Sequence, residues 1–423
     1  MKKFLLSALA LGGIISLNAQ SWVADSAVIG ANYVNRTFYS LENGTVESVP
    51  FNTVDWLIDV SNPYSASIRI NGGFNAALYK FTGGDTTAWG TYANDTTGMG
   101  TGTHGWLQVR DNEEDFFPSA FEAGASGSFN YGWGDYNQTT HNVIGNKLFV
   151  YKTVGGQYKK VWIKRLAATN STYTILTADL NGANEQTVSI SKQGATGKSF
   201  IYYSFASGQT TNVEPALNTY DLTFSKVVGL YGIVPNQAVT GVEINHGVLT
   251  AKAQGIPADD AVSSNYTLDD KLNGIGNNWK ALNASFQWYA LDSLSYFVQD
   301  LPGNIWQIRF TGFVGASAGK YKFQKRKVAY ASVEQNETVG AWTVFPNPTS
   351  DMVSVVFSTT VADQAQFSVS DLNGRTVVTE NFAANAGLNQ FSVDLGSRNL
   401  PAGIYVATLR AGRVLKTTKL IIQ

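Results

Sequence analysis

Three imidazoles are available to this chain, at His104, His141 and His246. Two of them, His104 and His141, stand in one stretch that also carries Trp106, Phe129, Tyr131 and Trp133. A pair of neutral imidazoles can ligate a metal ion. Neither residue lies in a ligand-spacing motif, and the alternative reading is two exposed loop residues among glycines and threonines. His246 follows Gly241-Val242-Glu243-Ile244-Asn245 and reads as structural. The densest acidic run is Asp111-Asn112-Glu113-Glu114-Asp115. A calcium site needs several oxygens converging at fixed geometry, and a glycosidase needs two carboxylates across a cleft. One contiguous run provides neither, so a solvated loop is expected there.

Other patterns are weaker. Gly100-Thr101-Gly102-Thr103-His104-Gly105 matches the dinucleotide fingerprint in letters only. That fingerprint works by opening a helix after a parallel strand, and neither is visible around it. Tyr158-Lys159-Lys160-Val161-Trp162-Ile163-Lys164-Arg165 mixes basic and aromatic residues; on a strand, Lys160 and Lys164 share the face of Trp162. There is no nucleophile elbow, paired-histidine zinc motif or P-loop. The chain is therefore expected not to be an enzyme, with a hydrolase site assembled from scattered residues as the remaining catalytic reading.

Composition narrows the field. The chain has no cysteine. This excludes disulfides, thiolate metal sites, a cysteine nucleophile and a lipid-bearing cysteine. The formal net charge is -1, which gives no basis for nucleic acid or an anionic membrane as partner. Charged residues make up 14% of the chain, beside 41 glycines and 20 tyrosines, a balance that fits an exported β-rich protein. The N-terminus predicts export as well. Met1-Lys2-Lys3 is followed by the apolar run Phe4 to Ile15 and by Leu17-Asn18-Ala19-Gln20. This is the pattern of a signal peptide over residues 1–19, too short to span a bilayer, and no other apolar run is long enough to do so.

The elements that would position these residues are strands. Phe38-Tyr39-Ser40-Leu41-Glu42-Asn43-Gly44 matches Tyr202-Tyr203-Ser204-Phe205-Ala206-Ser207-Gly208. At the same spacing Trp56-Leu57-Ile58-Asp59-Val60-Ser61 falls opposite Tyr220-Asp221-Leu222-Thr223-Phe224-Ser225. A later hairpin also recurs: Leu148 to Tyr151 with Tyr158 to Ile163, and Tyr296 to Val298 with Ile305 to Phe310. The pattern predicts an all-β protein with two tandem units, residues 20–197 and 198–332, each reading strand, glycine turn, strand. A linker is expected over 333–341. The tail, 342–423, reads as a β-sandwich of short alternating strands such as Gln364 to Ser370 and Gln390 to Leu395.

Two resemblances follow from these residues. Phe345-Pro346-Asn347-Pro348, the turn Asp371-Leu372-Asn373-Gly374-Arg375 and Leu400-Pro401-Ala402-Gly403-Ile404-Tyr405 resemble the type A C-terminal sorting domain of Bacteroidetes type IX secretion substrates. Pro346, Asn347, Pro348, Gly374, Gly403 and Tyr405 carry that likeness. It implies an immunoglobulin-like sandwich, the type IX machinery as partner, removal of the tail, and a final location outside the cell or on the outer-membrane surface. The cargo motifs, with Tyr220-Asp221-Leu222-Thr223-Phe224 foremost, resemble the HmuY family, whose best-known members bind haem at the cell surface through two histidines. That likeness makes haem the named cofactor candidate and His104 and His141 its axial ligands. The expectation is a non-enzymatic surface binding protein; the alternative is a structural or adhesive protein that binds glycan or a protein partner.

Overall fold

A computed structural model describes residues 21–62, 65–127, 129–329, 339–359, 363–371, 374–411 and 414–423. The expected signal peptide and most of the expected linker lie outside the described residues. All regular structure among the described residues is β-strand, with short 3-10 turns between strands. The chain forms two compact units, a larger one ending at residue 330 and a smaller one that includes residues 331–423.

The larger unit is built of four main sheets in layers. One outer sheet runs Val23–Val28, Lys320–Ala329, Ile305–Val314, Leu294–Gln299, Leu249–Gln254. Behind it lies the sheet Val234–Ile244, Leu222–Tyr231, Asn35–Ser40, Gly44–Pro50. Tyr39, Phe224, Trp279, Tyr296, Phe310 and Phe323 fill the space between these two, making a first sandwich lobe. The second lobe repeats the plan. Its inner sheet is Gln209–Thr211, Phe200–Ser204, Trp56–Asp59, Ile68–Ile70, and its outer sheet is eight-stranded. Trp56, Ile58, Phe149, Tyr151, Ile163 and Tyr203 pack between them.

The two inner sheets also pack on one another. Phe38 and Phe51 from the first lobe meet Leu57, Phe200 and Tyr202 from the second. Successive side chains on a strand point to opposite faces. In Phe200–Ser204, Ile201 and Tyr203 enter the second lobe's core while Phe200 and Tyr202 enter the layer between lobes. Both faces are buried, which is why these strands read as unbroken apolar runs rather than alternating ones.

The boundary expected at Gly197/Lys198 does not separate these sheets. Asn35–Ser40 pairs with Leu222–Tyr231 through Phe38↔Thr223, and Trp56–Asp59 pairs with Phe200–Ser204 through Leu57↔Tyr202. The first strand of each matched stretch thus joins the second strand of the other, and the lobes are exchanged along the chain. The hairpins around Gly44 and Gly208 form, but with Gly44–Pro50 and Gln209–Thr211 as their second strands. The late hairpins form as read, with Phe149↔Val161 and Val298↔Trp306 in register.

An Asp–Asn pair holds each exchange. The Asp55 amide donates to Tyr203 O and the Asn71 amide to Asp55 O; the Asp221 amide donates to Tyr39 O and the Asn245 amide to Asp221 O. Asn71 Nδ2 donates to Phe51 O and Val54 O at 2.9 and 2.8 Å, and Asn245 Nδ2 to Leu217 O and Tyr220 O at 2.6 and 2.8 Å. Asp55 Oδ2 accepts from the Phe205 amide and Asp221 Oδ2 from the Leu41 amide, each at 2.7 Å. The same buried carbonyls are satisfied the same way in both lobes.

The tail is an immunoglobulin-like sandwich. Val339–Phe345, Met352–Thr359 and Gly387–Asp394 form one sheet; Thr376–Ala384, Asp363–Ser370, Gly403–Ala411 and Val414–Ile422 form the other. Val355, Phe357, Phe367, Val369, Leu409 and Leu420 lie between them. Asp363–Ser370 turns back into Thr376–Ala384, so the two alternating stretches singled out in the sequence belong to opposite sheets.

Candidate functional site

A cleft of about 780 Å³ opens within the larger unit, between the two lobes. One wall comes from the first lobe's long hairpin and the loop that follows its sheets, through Lys226, Asn236, Gln237, Glu243, Asn273 and Asn278. The other comes from the second lobe, through Arg69, Asn75, Tyr79, Gln108, Arg110 and the acidic run. At one corner the turn Gly72-Gly73 lies against the hairpin. A Cβ on Gly73 would stand 2.3 Å from Lys226 O, so only glycine allows this approach.

The acidic run forms a wall of this cleft, contrary to the expected solvated loop. Asp111 accepts from the Ile70 amide at 3.0 Å and the Ala120 amide at 2.7 Å. Burial pushes its carboxyl up, against the pull of Arg69 and these two amides. Arg69 donates to the carbonyls of Asn112, Asp115 and Phe116 at 2.8, 3.0 and 2.7 Å and so shapes the loop from beneath. Glu114 pairs with Lys271 at 2.8 Å, and its carbonyl accepts from the Leu272 amide. Burial raises the Glu113 carboxyl, with Arg110 opposing. Phe116 stacks on His246 with ring centroids 3.6 Å apart.

At the cleft floor Arg36 is buried. It donates to Glu243 Oε2 at 3.2 Å and Thr223 Oγ1 at 3.3 Å, and its guanidinium lies 5.1 Å from the Phe51 ring. Burial works against its charge, but Tyr202, Glu243 and Glu214 hold its pKa above the ordinary arginine value. Glu214 in turn accepts from Tyr202 Oη at 2.5 Å and the Phe200 amide at 2.9 Å. The cleft therefore offers side-chain amides, aromatic rings and fixed charges. Of its carboxylates, Asp111, Glu114 and Glu243 are each already engaged.

The sequence singled out other residues. His104 and His141 are exposed and lie in different loops. His104 Nδ1 is 2.9 Å from Thr103 Oγ1, and His141 Nδ1 is 2.6 Å from Tyr136 Oη. Neither lines the cleft. Their neighbours diverge too: Trp106 packs outside the eight-stranded sheet with Tyr92 and Val150, whereas Trp133 enters the core of the second lobe. Lys160 is buried with its ammonium over the Trp89 and Tyr92 rings, while Lys164 lies over Trp162, at a register shift in the strand. Among the described residues no group of three or more His, Asp or Glu could hold a metal ion. The sequence did not point to Arg36, Lys226 or Glu243. The one available signal was a charge two residues before the aromatic pair Phe38-Tyr39, Arg36 in Asn35–Ser40.

In the tail, the peptides before Pro346 and Pro348 are cis. Asn347 between them accepts from the Ile421 amide at 2.8 Å and donates to Lys419 O at 2.7 Å. Thr349 and Gln423 continue this contact, which ties the entry of the domain to its last strand. Tyr405 Oη donates to Pro401 O at 2.8 Å, across the turn that contains Gly403. Gly374 has φ +81° in the turn closed by Asp371 and Arg375; Leu372 and Asn373 of that turn lie outside the described residues.

Residues 343–423 match the family model of the secretion system C-terminal sorting domain. The tail marks the chain for export by the type IX system, with the secretion machinery as partner and the cell surface or the medium as destination. No helix among the described residues is long and apolar enough to cross a membrane. No curated protein matches the chain. Dimeric latent PorU from Porphyromonas gingivalis is similar over 67% of this chain and 31% of that one, at 10% identity and a TM-score of 0.20. A biofilm associated protein, BSP domain, is similar over 100% and 84%, at 10% identity and a TM-score of 0.17. This chain spans less than a third of the PorU chain.

Proposed function

We propose that this exported protein is a non-enzymatic binding protein whose interlobe cleft takes a polar ligand, with glycans as the favoured class. The observation that carries this reading is the cleft lining: Asn75, Gln108, Asn236, Gln237, Asn273 and Asn278 supply amides, beside Arg110 and the aromatic rings of Tyr79 and Phe116. Amides present paired donors and acceptors, which match vicinal hydroxyls, and the faces of aromatic rings stack on the apolar C–H faces of sugar rings. Glycosidase chemistry would need two available carboxylates across the cleft, whereas the hydrogen bonds and ion pairs above occupy all but Glu113. A glycan array probed with the full chain tests the reading. Binding that is lost in Gln108→Ala/Arg110→Ala would support it, and an empty array would sink it.

Haem is the second reading. It rests on the HmuY-like motifs and on one geometric point: each exposed imidazole is engaged through Nδ1, which leaves Nε2 for iron. Haemin titration should then shift the Soret band in the wild type and not in His141→Ala. An unshifted wild-type spectrum removes haem from consideration.

A further inference from the structure

A second cavity, of about 550 Å³, lies between the Leu222–Tyr231/Val234–Ile244 hairpin and the short hairpin Lys280–Leu282/Trp288–Ala290. Leu230, Tyr231, Leu282, Trp288 and Tyr33 give it apolar walls. Two cations, Lys226 and Lys280, also line it, and no carboxylate does.

Lys280 is only 9% exposed. Its ammonium lies 4.5 Å from the Trp279 ring, 5.1 Å from Phe313 and 5.5 Å from Trp288. Its hydrogen bond is to Thr240 O, at 2.6 Å. Lys226 stands 4.8 Å from the Phe74 ring. Neither lysine forms an ion pair among the described residues. Aromatic faces offset part of the cost of a desolvated ammonium, and one backbone carbonyl uses one of its three donors. A buried cation without a counter-charge is expensive unless something supplies one.

We propose that this cavity binds a small carboxylate with an apolar body, acyl or aryl, its head against Lys280 and Lys226 and its body between Trp288, Leu230 and Tyr231. The site adjoins the interlobe cleft and shares Lys226, Leu230, Ala238, Asn277 and Asn278 with it, while Lys280, Leu282, Trp288 and Tyr33 line this cavity and not the cleft.

The pH dependence has a definite sign. Burial holds the Lys280 amine down at about 7. The other titratable groups facing the cavity are Lys226, lowered by burial, Tyr33, raised by burial, and the Tyr231 phenol. Lys280 carries its charge below about pH 7, so a carboxylate binds on the acid side and is released as pH rises. A chain-matched alcohol has no such dependence.

The test is calorimetric titration of the full chain with 4-butylbenzoate, decanoate and 4-butylbenzyl alcohol at pH 6 and pH 8.5. At least one acid should bind at pH 6, about tenfold or more tightly than at pH 8.5 and than the alcohol. Binding by decanoate alone would assign an acyl body and by 4-butylbenzoate alone an aryl one, each upholding the site. Lys280→Met should weaken the acid by about tenfold or more while leaving the alcohol unchanged. The pH comparison is made on the wild type, so it holds even where that variant does not fold. Absence of binding by both acids at pH 6 would overturn the proposal, as would equal binding of acid and alcohol, or full affinity in folded Lys280→Met.

Discussion

His246 carries its main energetic role through what surrounds the ring. It stacks on Phe116, and its Nε2 is buried without a hydrogen-bond partner among the described residues. Burial lowers its pKa to about 4, with Asp59 pulling it up and Arg69 pushing it further down. The unfolded chain takes up the proton near the ordinary histidine value, about 6.5. The folded state therefore keeps this contribution above pH 6.5 and loses it as pH falls through about 4, an effect of roughly 3 kcal/mol. Asp221, raised to about 6 by burial, acts in the opposite direction over part of that window. The measurement is thus a difference: His246→Phe should keep the stack and flatten the acid side of melting temperature against pH relative to wild type. Equal slopes would place the ring in water. Residues of this kind were hard to read from the chain. Arg36, Glu214 and Glu243 converge from positions far apart, and nothing in local spacing encodes a meeting that only the packed sheets create. The acidic run was misread for the same reason, since Arg69 and Lys271 lie outside it.

At the scale of strands, the tail was legible because one face is buried and one is wet. Ala365, Phe367 and Val369 are buried, as the alternation from Gln364 to Ser370 requires. The inner sheets of the larger unit gave no such signal, because Trp56–Asp59 and Phe200–Ser204 are covered on both faces. What the alternation did not show was how the tail's last strand is held. Val414–Ile422 pairs on one side with Gly403–Ala411, and Asn347 bridges to Lys419 and Ile421 near its end. Asn347→Ala removes both bridging bonds, of which the exposed one to Lys419 O is replaced by water, and costs about 1 kcal/mol. Hydrogen exchange should show faster loss of protection at Ile421 and its neighbours while the Asp363–Ser370 amides change little. Uniform loss across the domain would mean that Asn347 supports the whole sandwich.

For the molecule as a whole, the matched stretches were visible in sequence, but their partners were not. A local motif specifies a strand and not which distant strand it joins. The exchange predicts a specific behaviour on cleavage. A protease site placed in the exposed turn at Ala183 would cut the chain between its two matched halves. The fragments should co-elute under native conditions, because Phe200–Ser204 completes a sheet of the first fragment and Asn35–Ser40 a sheet of the second. Elution as two separate folded pieces would contradict the pairing described here.

The N-terminal strand Val23–Val28 finds its neighbour in Lys320–Ala329, about 300 residues later. At ribosomal speeds of about 5–20 residues per second, that neighbour emerges roughly 15–60 seconds afterwards. Until then the outer sheet of the first lobe is incomplete. Closure of that lobe's outer sheet thus waits on synthesis of nearly the whole larger unit, whatever the order in which its other strands meet.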